Sequence, residues 1–77
     1  MLIDQLRKRF EEAGHRVSQR DDVDEHAMAW FLDTTVGTLG NRRTQKRSPP
    51  WYRLPCGIRY PLEPLIGWLR AQISEAA

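Results

Sequence analysis

The chain has 77 residues, of which 40% are hydrophobic and 29% charged, and its formal net charge is +2. These values are typical of one small folded domain, and they exclude a repeat array, a disordered chain and a large buried catalytic pocket. The longest apolar run, 27–32, is far shorter than the roughly 20 residues that a membrane helix needs. The N-terminus lacks the apolar region of a signal peptide and Cys56 is the single cysteine, so we expect a cytoplasmic protein without disulfides.

The charges are distributed unevenly along the chain. Residues 1–33 carry eight acidic and five basic side chains, whereas 34–62 contains six basic side chains and no acid. The six are Arg42, Arg43, Lys46, Arg47, Arg53 and Arg59. Such a concentration of positive charge favours a polyanion as the partner, and the alternative is a solvated basic face that balances the acidic half.

Apolar residues recur at helical spacing near the N-terminus and predict a first helix over 1–13, closed by Gly14. This N-terminal amphipathic helix, 1–14, either docks on the rest of the chain or contacts a second copy. The remainder, 15–77, is predicted to form the main domain, and the two parts make one compact unit. Acidic residues at 21–25 favour the capped start of a second helix, predicted over 24–32 with Ala29 and Leu32 on its buried side.

A polar turn follows the second helix and leads into a third. Thr34 or Thr35 is the predicted cap of this third helix, which ends at about Thr44. Two short helices joined by a tight turn predict a helix-turn-helix.

Strand-type residues then flank a turn at 55–57 and predict a short hairpin. Pro61 precedes a final amphipathic helix. The predicted fold is mainly α with a small β-hairpin wing, a winged helix-turn-helix with an extra N-terminal helix. Trp51 and Trp68 are predicted in the core, since a small domain needs their large buried area, while Trp30 is either half exposed or at a protein contact.

Several motifs in this order carry a resemblance to a known family. They are Val23-Asp24-Glu25; Ala29, Leu32, Thr35, Thr38 and Leu39; 46–54 (KRSPPWYRL); 57–60 (GIRY); and 65–69 (LIGWL). With these motifs the chain resembles the small excisionase and AlpA-like DNA-binding domains, which are related to the MerR winged helix. The similarity covers residues 23–73, and its most specific part is 49–69.

The resemblance implies a protein without catalytic activity that inserts its third helix into the major groove and lays the hairpin on the flanking backbone or minor groove. Members serve as recombination directionality factors for integrases, or as small transcriptional regulators. The chain departs from the family in having Gly37 and Gly40 where Arg, Lys or Tyr is frequent, and Arg42 where Trp is common. Since each glycine inside a helix costs about 0.5–1 kcal/mol relative to alanine, we expect a recognition helix that is short or becomes ordered only on DNA.

The side chains of the third predicted helix suit contacts with bases and phosphates. Arginine binds guanine O6 and N7 or a phosphate, and asparagine binds adenine N6 and N7; solvated, capping or backbone-bonded side chains are the alternatives. A threonine at the helix start either caps the helix or donates to a phosphate. The predicted set on this helix is Thr35, Thr38, Asn41, Arg42 and Arg43.

The remaining cations are predicted phosphate contacts, because flexible side chains outside the recognition helix supply affinity more often than sequence preference. Gly57 allows the tight turn at the wing tip, and its neighbour Cys56 is expected to face solvent. The predicted set outside the helix is Lys46, Arg47, Arg53, Gly57 and Arg59.

Motifs for an enzyme are missing from the sequence. No nucleophile has an adjacent base, and no glycine-rich phosphate loop ends in Gly-Lys. His15 and His26 lack further ligands at metal spacing. We therefore predict no catalytic residue, no metal, no cofactor and no small-molecule substrate.

We expect a nucleoid-associated excisionase that binds double-stranded DNA, bends attachment-site DNA and promotes excision by an integrase that it contacts. Further copies are expected to bind cooperatively along the duplex, with the N-terminal helix and the acidic residues 21–25 as candidate contacts. Two alternatives stay open, a promoter-binding activator or repressor and a protein-interaction module whose basic face binds an acidic protein. The salt dependence of duplex binding distinguishes the last alternative. Six phosphate contacts give a slope of about −5 in log K against log salt, whereas a module that binds only protein shows no duplex binding.

Overall fold

The computed structural model describes residues 2–76 of the chain, with side chains for residues 2–73. The elements in chain order are α1 (Leu2–Glu12), β1 (Asp22–Asp24), α2 (Glu25–Phe31), α3 (Val36–Thr44), β2 (Tyr52–Leu54), β3 (Gly57–Pro61) and α4 (Leu62–Ala76). Met1, the predicted start of the first helix, lies outside the described residues, as does Ala77. The fold is thus a small domain of four helices and a three-stranded antiparallel sheet.

The N-terminal helix α1 docks on its own chain, which is one of the two arrangements that the sequence leaves open. It packs against α4, and its Phe10 is fully buried in the core. The helix closes at Gly14, which has φ +88° and donates its N–H to the Glu11 carbonyl at 3.0 Å. A positive φ favours glycine, so the predicted helix end at Gly14 is confirmed.

The sheet has the strand order β1-β3-β2, and every neighbouring pair is antiparallel. The hairpin of β2 and β3 confirms the hairpin predicted from the sequence. Its turn brings Leu54 opposite Gly57, and Gly57 has φ +126°, a conformation that side chains with a β-carbon rarely adopt.

The strand β1 was not predicted, and it corrects the interpretation of residues 21–25 as the start of a helix. Only Asp24 has the predicted capping role: its carboxylate accepts the Ala27 N–H at 2.8 Å at the start of α2. Val23 is buried opposite Tyr60 of β3. Three residues with two acids among them give no alternating apolar signal, and aspartate is rare in strands, so the sequence pattern conceals this strand.

The core lies where α1, α2, α3 and α4 meet the inner face of the sheet. Its fully buried hydrophobic residues are Phe10, Val23, Ala27, Met28, Leu39, Tyr60, Leu62 and Leu65. In α2 the buried residues are 27–29, so Ala29 is buried as predicted while Leu32 is only partly buried.

The prediction that Trp51 lies in the core is wrong, because this side chain is 40% exposed. Trp51 precedes the edge strand β2, and the Arg43 guanidinium lies over its ring, so it sits outside the layers that form the core. Trp68 is partly buried and packs against the core. Trp30 is 44% exposed and lies against the rings of Phe10 and His15.

Within the described residues, no helix has both the length and the apolar character needed to cross a bilayer.

Candidate nucleic-acid interface

Helix α3 begins directly after the turn that joins it to α2. Thr35 is its N-cap: the Thr35 hydroxyl oxygen accepts the Thr38 N–H at 3.1 Å, and the same hydroxyl donates to that of Thr38 at 2.9 Å. The predicted capping role of Thr35 is therefore confirmed. Gly37 and Gly40 lie within the regular helix, which extends over nine residues and ends at Thr44, as the sequence predicts. The cap and the packing of Leu39 in the core stabilise α3 despite the two glycines.

The two sides of α3 differ in chemistry. Leu39 is buried on the inner side, and the outer side carries polar and basic side chains without an acid. The outer side forms one wall of a groove of about 690 Å³, and α4 forms the opposite wall. We call this the α3–α4 groove. It is lined by Thr38, Asn41, Arg42, Gln45, Lys46, Arg47, Trp68 and Gln72.

The C-terminal end of α3 determines where the cations after the helix lie. The Arg47 N–H donates to the Arg42 carbonyl at 2.8 Å, and the Lys46 N–H donates to the Arg43 carbonyl at 3.1 Å. This pattern closes a helix with one residue in the left-handed conformation, and here that residue is Lys46, with φ +59°. Glycine is the usual residue at this position, because a β-carbon is strained there.

Arg43 contacts residues of its own chain rather than the groove. Its guanidinium forms an ion pair with Glu25, donates to the Tyr60 hydroxyl at 2.9 Å and lies 5.6 Å from the centre of the Trp51 ring. Only 18% of the Arg43 side chain is exposed. Burial raises the pKa of Tyr60 above its ordinary value, although the charge and hydrogen bond of Arg43 partly offset this. Arg43 therefore links α3 to α2 and β3.

Arg59 is likewise engaged within the protein. Its Nε donates to the Asp22 carboxylate at 2.9 Å, its second guanidinium nitrogen reaches the Asp22 carbonyl at 3.3 Å, and 17% of its side chain is exposed. Tyr52 lies opposite Arg59 in the sheet, and its hydroxyl also donates to Asp22. Asp22 thus joins all three strands.

The Asp22 carboxylate is fully buried and has several donors around it. Ser18 donates at 2.6 Å and Arg20 at 3.0 Å, in addition to the donors on β2 and β3. Burial raises the pKa of Asp22, but the hydrogen bonds from Ser18, Arg59 and Arg20 and the charge of Arg59 outweigh it, so this pKa is below the ordinary value. Asp22 is therefore an ionised, fully paired group that fixes the hairpin to β1.

The hairpin presents one cation to solvent. Arg53 is exposed on β2, opposite Ile58. Cys56, in the turn beside Gly57, is exposed as the sequence predicts.

The acidic residues 21–25 are engaged within the chain. Asp21 pairs with Arg7, Asp22 is buried, Asp24 caps α2 and Glu25 pairs with Arg43. The carboxylates of Asp22 and Glu25 are therefore not available for the predicted contact between this segment and a neighbouring copy.

The structure brings together five of the ten predicted site residues and separates the others. Thr38, Asn41, Arg42, Lys46 and Arg47 line the α3–α4 groove. Of the six predicted DNA-binding cations, the four exposed or partly exposed ones Arg42, Lys46, Arg47 and Arg53 form no ion pair within residues 2–73.

Three groove residues were not predicted as site residues. Gln45 lies three and four positions after Arg42 and Asn41, so helical spacing alone places it on their face. Trp68 and Gln72 are also four positions apart, but only the placement of α4 against α1 and β3 brings this pair to the groove.

Comparisons of the chain with protein-family models, with curated proteins and with solved structures find no match. Over the residues that the structure describes, no three His, Cys, Asp or Glu side chains are grouped so as to hold a metal ion.

Proposed function

We propose that the protein binds double-stranded DNA as a winged helix-turn-helix, with α2 and α3 as the two helices and the β2–β3 hairpin as the wing. One observation carries the proposal: the outer side of α3 and the turn after it hold three cations, Arg42, Lys46 and Arg47, that form no ion pair within residues 2–73 and lie next to amide side chains. The two arginines with internal partners, Arg43 and Arg59, are left out of the proposed DNA contacts.

The chemistry of this surface suits a duplex. A helix with its side chains is about 10–12 Å across, which fits the major groove of about 12 Å. The amides of Asn41 and Gln45 offer a donor and an acceptor to base edges, and Arg42 suits guanine or a phosphate. Lys46, Arg47 and Arg53 would bind phosphates on either side.

We further propose that the protein acts as an excisionase in the bacterial cytoplasm, where it would bend attachment-site DNA and contact an integrase. The support for this role is the resemblance of residues 23–73 to excisionase and AlpA-like domains. A domain of this size covers few base pairs, so useful specificity requires several copies side by side on the DNA.

Footprinting on the DNA that flanks the protein's own gene tests both parts. Arg42→Gln with Lys46→Gln removes two proposed contacts, while Lys8→Gln with Arg9→Gln makes the same charge change at exposed positions of α1. We expect several regularly spaced protected sites that the first variant loses and the control keeps. A single site over a promoter would instead indicate transcriptional regulation, and no protection at low salt would contradict DNA binding.

A further inference from the structure

Two tryptophans lie beside the proposed DNA-binding cations. A second cleft, of about 430 Å³, adjoins the α3–α4 groove and shares Lys46 and Trp68 with it. Its other walls include Pro49, Pro50 and Trp51. The two clefts therefore adjoin at Lys46 and Trp68 and extend together from α3 to the residues before β2; we call the two together the channel.

The walls of this channel have two different characters. The α3 side is polar and cationic, whereas the other side has the rings of two prolines and two indoles, with Ser48 and Gln72 beside them. Trp51 is 40% exposed even though the Arg43 guanidinium lies over its ring. Burying an indole would stabilise a small core more than burying a small hydrophobic side chain. An exposed indole in a domain of this size therefore indicates a binding surface more strongly than an exposed small hydrophobic side chain does.

Lys46 lies where the two clefts meet, at the left-handed residue that closes α3. It has φ +59°, a conformation in which glycine would be unstrained. The lysine side chain adds a cation at the junction, which glycine would not.

We infer that the end of this channel beside Lys46 and Trp51 holds one sugar-phosphate strand of the DNA duplex, with Lys46 and Arg47 on phosphates and with Trp51 and Trp68 packed against deoxyribose, while Asn41 and Gln45 face the base edges. The inference rests on the proposed function. Packing of the two indoles on deoxyribose would contribute an apolar, salt-independent part of the affinity for DNA. A sugar-phosphate strand matches the channel because it presents anionic oxygens alternating with apolar C–H surface. No acid occurs between Asp33 and Glu63 to repel it.

The test measures the affinity for a duplex as a function of salt concentration. Phosphate contacts determine the slope of log K against log salt, and apolar contacts determine the affinity that remains at high salt. We expect Trp51→Ala to weaken binding about tenfold at every salt concentration with an unchanged slope. Trp30→Ala is the matched control: Trp30 is 44% exposed but lies against α1, and we expect its substitution to leave binding unchanged.

Fluorescence gives a second readout, in a protein that keeps both Trp51 and Trp68. In the Trp30→Phe protein the remaining indoles are Trp51 and Trp68, and we expect the duplex to quench or shift the emission of both. Trp51→Phe and Trp68→Phe in this background assign the signal to each ring, and a thermal unfolding curve checks that each variant is folded.

Each other outcome would overturn the inference in a distinct way. If wild type binds no duplex at low salt, the proposed function fails and the inference fails with it. If wild type binds and Trp51→Ala binds equally well, only the inference fails. A changed slope with unchanged high-salt affinity would show that Trp51 acts through Arg43 alone, and tighter binding of the single strand than of the duplex would assign the channel to single-stranded DNA.

Discussion

Arg42 and Arg43 are neighbours in the chain, but their side chains have different surroundings. Arg42 lines the α3–α4 groove, whereas Arg43 reaches Glu25, Tyr60 and Trp51 across the domain. Substituting Arg43 would therefore remove contacts between α2, α3 and β3 and disturb the fold as well as any interface. For this reason a loss of binding in an Arg42→Ala, Arg43→Ala protein would not report on the surface of α3.

At the scale of single residues, Asp22 gives the clearest prediction of stability. Asp22→Asn removes the buried charge that Arg59 and Arg20 surround, and it leaves Arg59, which is largely shielded from solvent, without its counterion. Breaking a buried ion pair costs about 3 kcal/mol or more, so we expect a loss of that size in the free energy of unfolding at pH 7. Urea unfolding measures it.

Asp21→Asn is the control for that substitution, because Asp21 makes a partly exposed ion pair one position away. We expect a change of less than about 1 kcal/mol there. Equal losses in the two variants would contradict the role assigned to Asp22.

The pH dependence of stability follows from the lowered pKa of Asp22. A carboxyl with a lower pKa in the folded state stabilises the protein fully above its unfolded pKa, and this contribution is lost as the pH falls through the folded pKa. We therefore expect the difference between wild type and Asp22→Asn in unfolding free energy to be constant above about pH 5 and to shrink below about pH 4. Urea titrations across this range measure it, and a difference independent of pH would contradict the account.

At the scale of elements, the end of α3 combines a local strain with a proposed contact. Lys46→Gly removes the strained β-carbon, so we expect the free energy of unfolding to rise by about 0.5–1 kcal/mol and DNA affinity to fall. Lys46→Ala is the control, because it loses the same charge but keeps the β-carbon, and we expect it to weaken binding without stabilising the fold. Thermal unfolding and duplex titration measure the two effects, and tighter or equal binding of Lys46→Gly would contradict the phosphate contact.

The secondary-structure elements also differ in how well the sequence predicts them. The four helices and the hairpin carry local signals: apolar spacing, the Thr35 cap, Gly14 and Gly57. By contrast, β1 depends on pairing with β3, more than 30 residues later, and on the buried partners of Asp22. The local sequence of residues 22–24 indicates neither the pairing with β3 nor the buried partners of Asp22.

The candidate site shows the same division. Helical spacing correctly groups Thr38, Asn41 and Arg42 on one face of α3. It does not reveal that Arg59 lies diagonally across the sheet from Asp22, nor that α4 contributes Trp68 to the groove. Those facts depend on strand register and on helix packing, which are properties of the folded chain.

At the scale of the whole molecule, internal ion pairing divides the six cations of residues 34–62 into two groups. Arg43 and Arg59 have carboxylate partners, while Arg42, Lys46, Arg47 and Arg53 form no ion pair among residues 2–73. With four phosphate contacts instead of the six that the sequence predicts, the expected slope of log K against log salt is about −3.6 rather than about −5.

The salt titration of duplex binding tests this account most directly, with fluorescence anisotropy of a labelled duplex as the readout. We predict a slope of about −3.6 for wild type and for Lys8→Gln with Arg9→Gln, and about −1.8 for Arg42→Gln with Lys46→Gln, which loses two of the four contacts. A wild-type protein that binds no duplex at low salt, or two double variants with the same slope, would contradict the claim that the unpaired cations around α3 bind DNA.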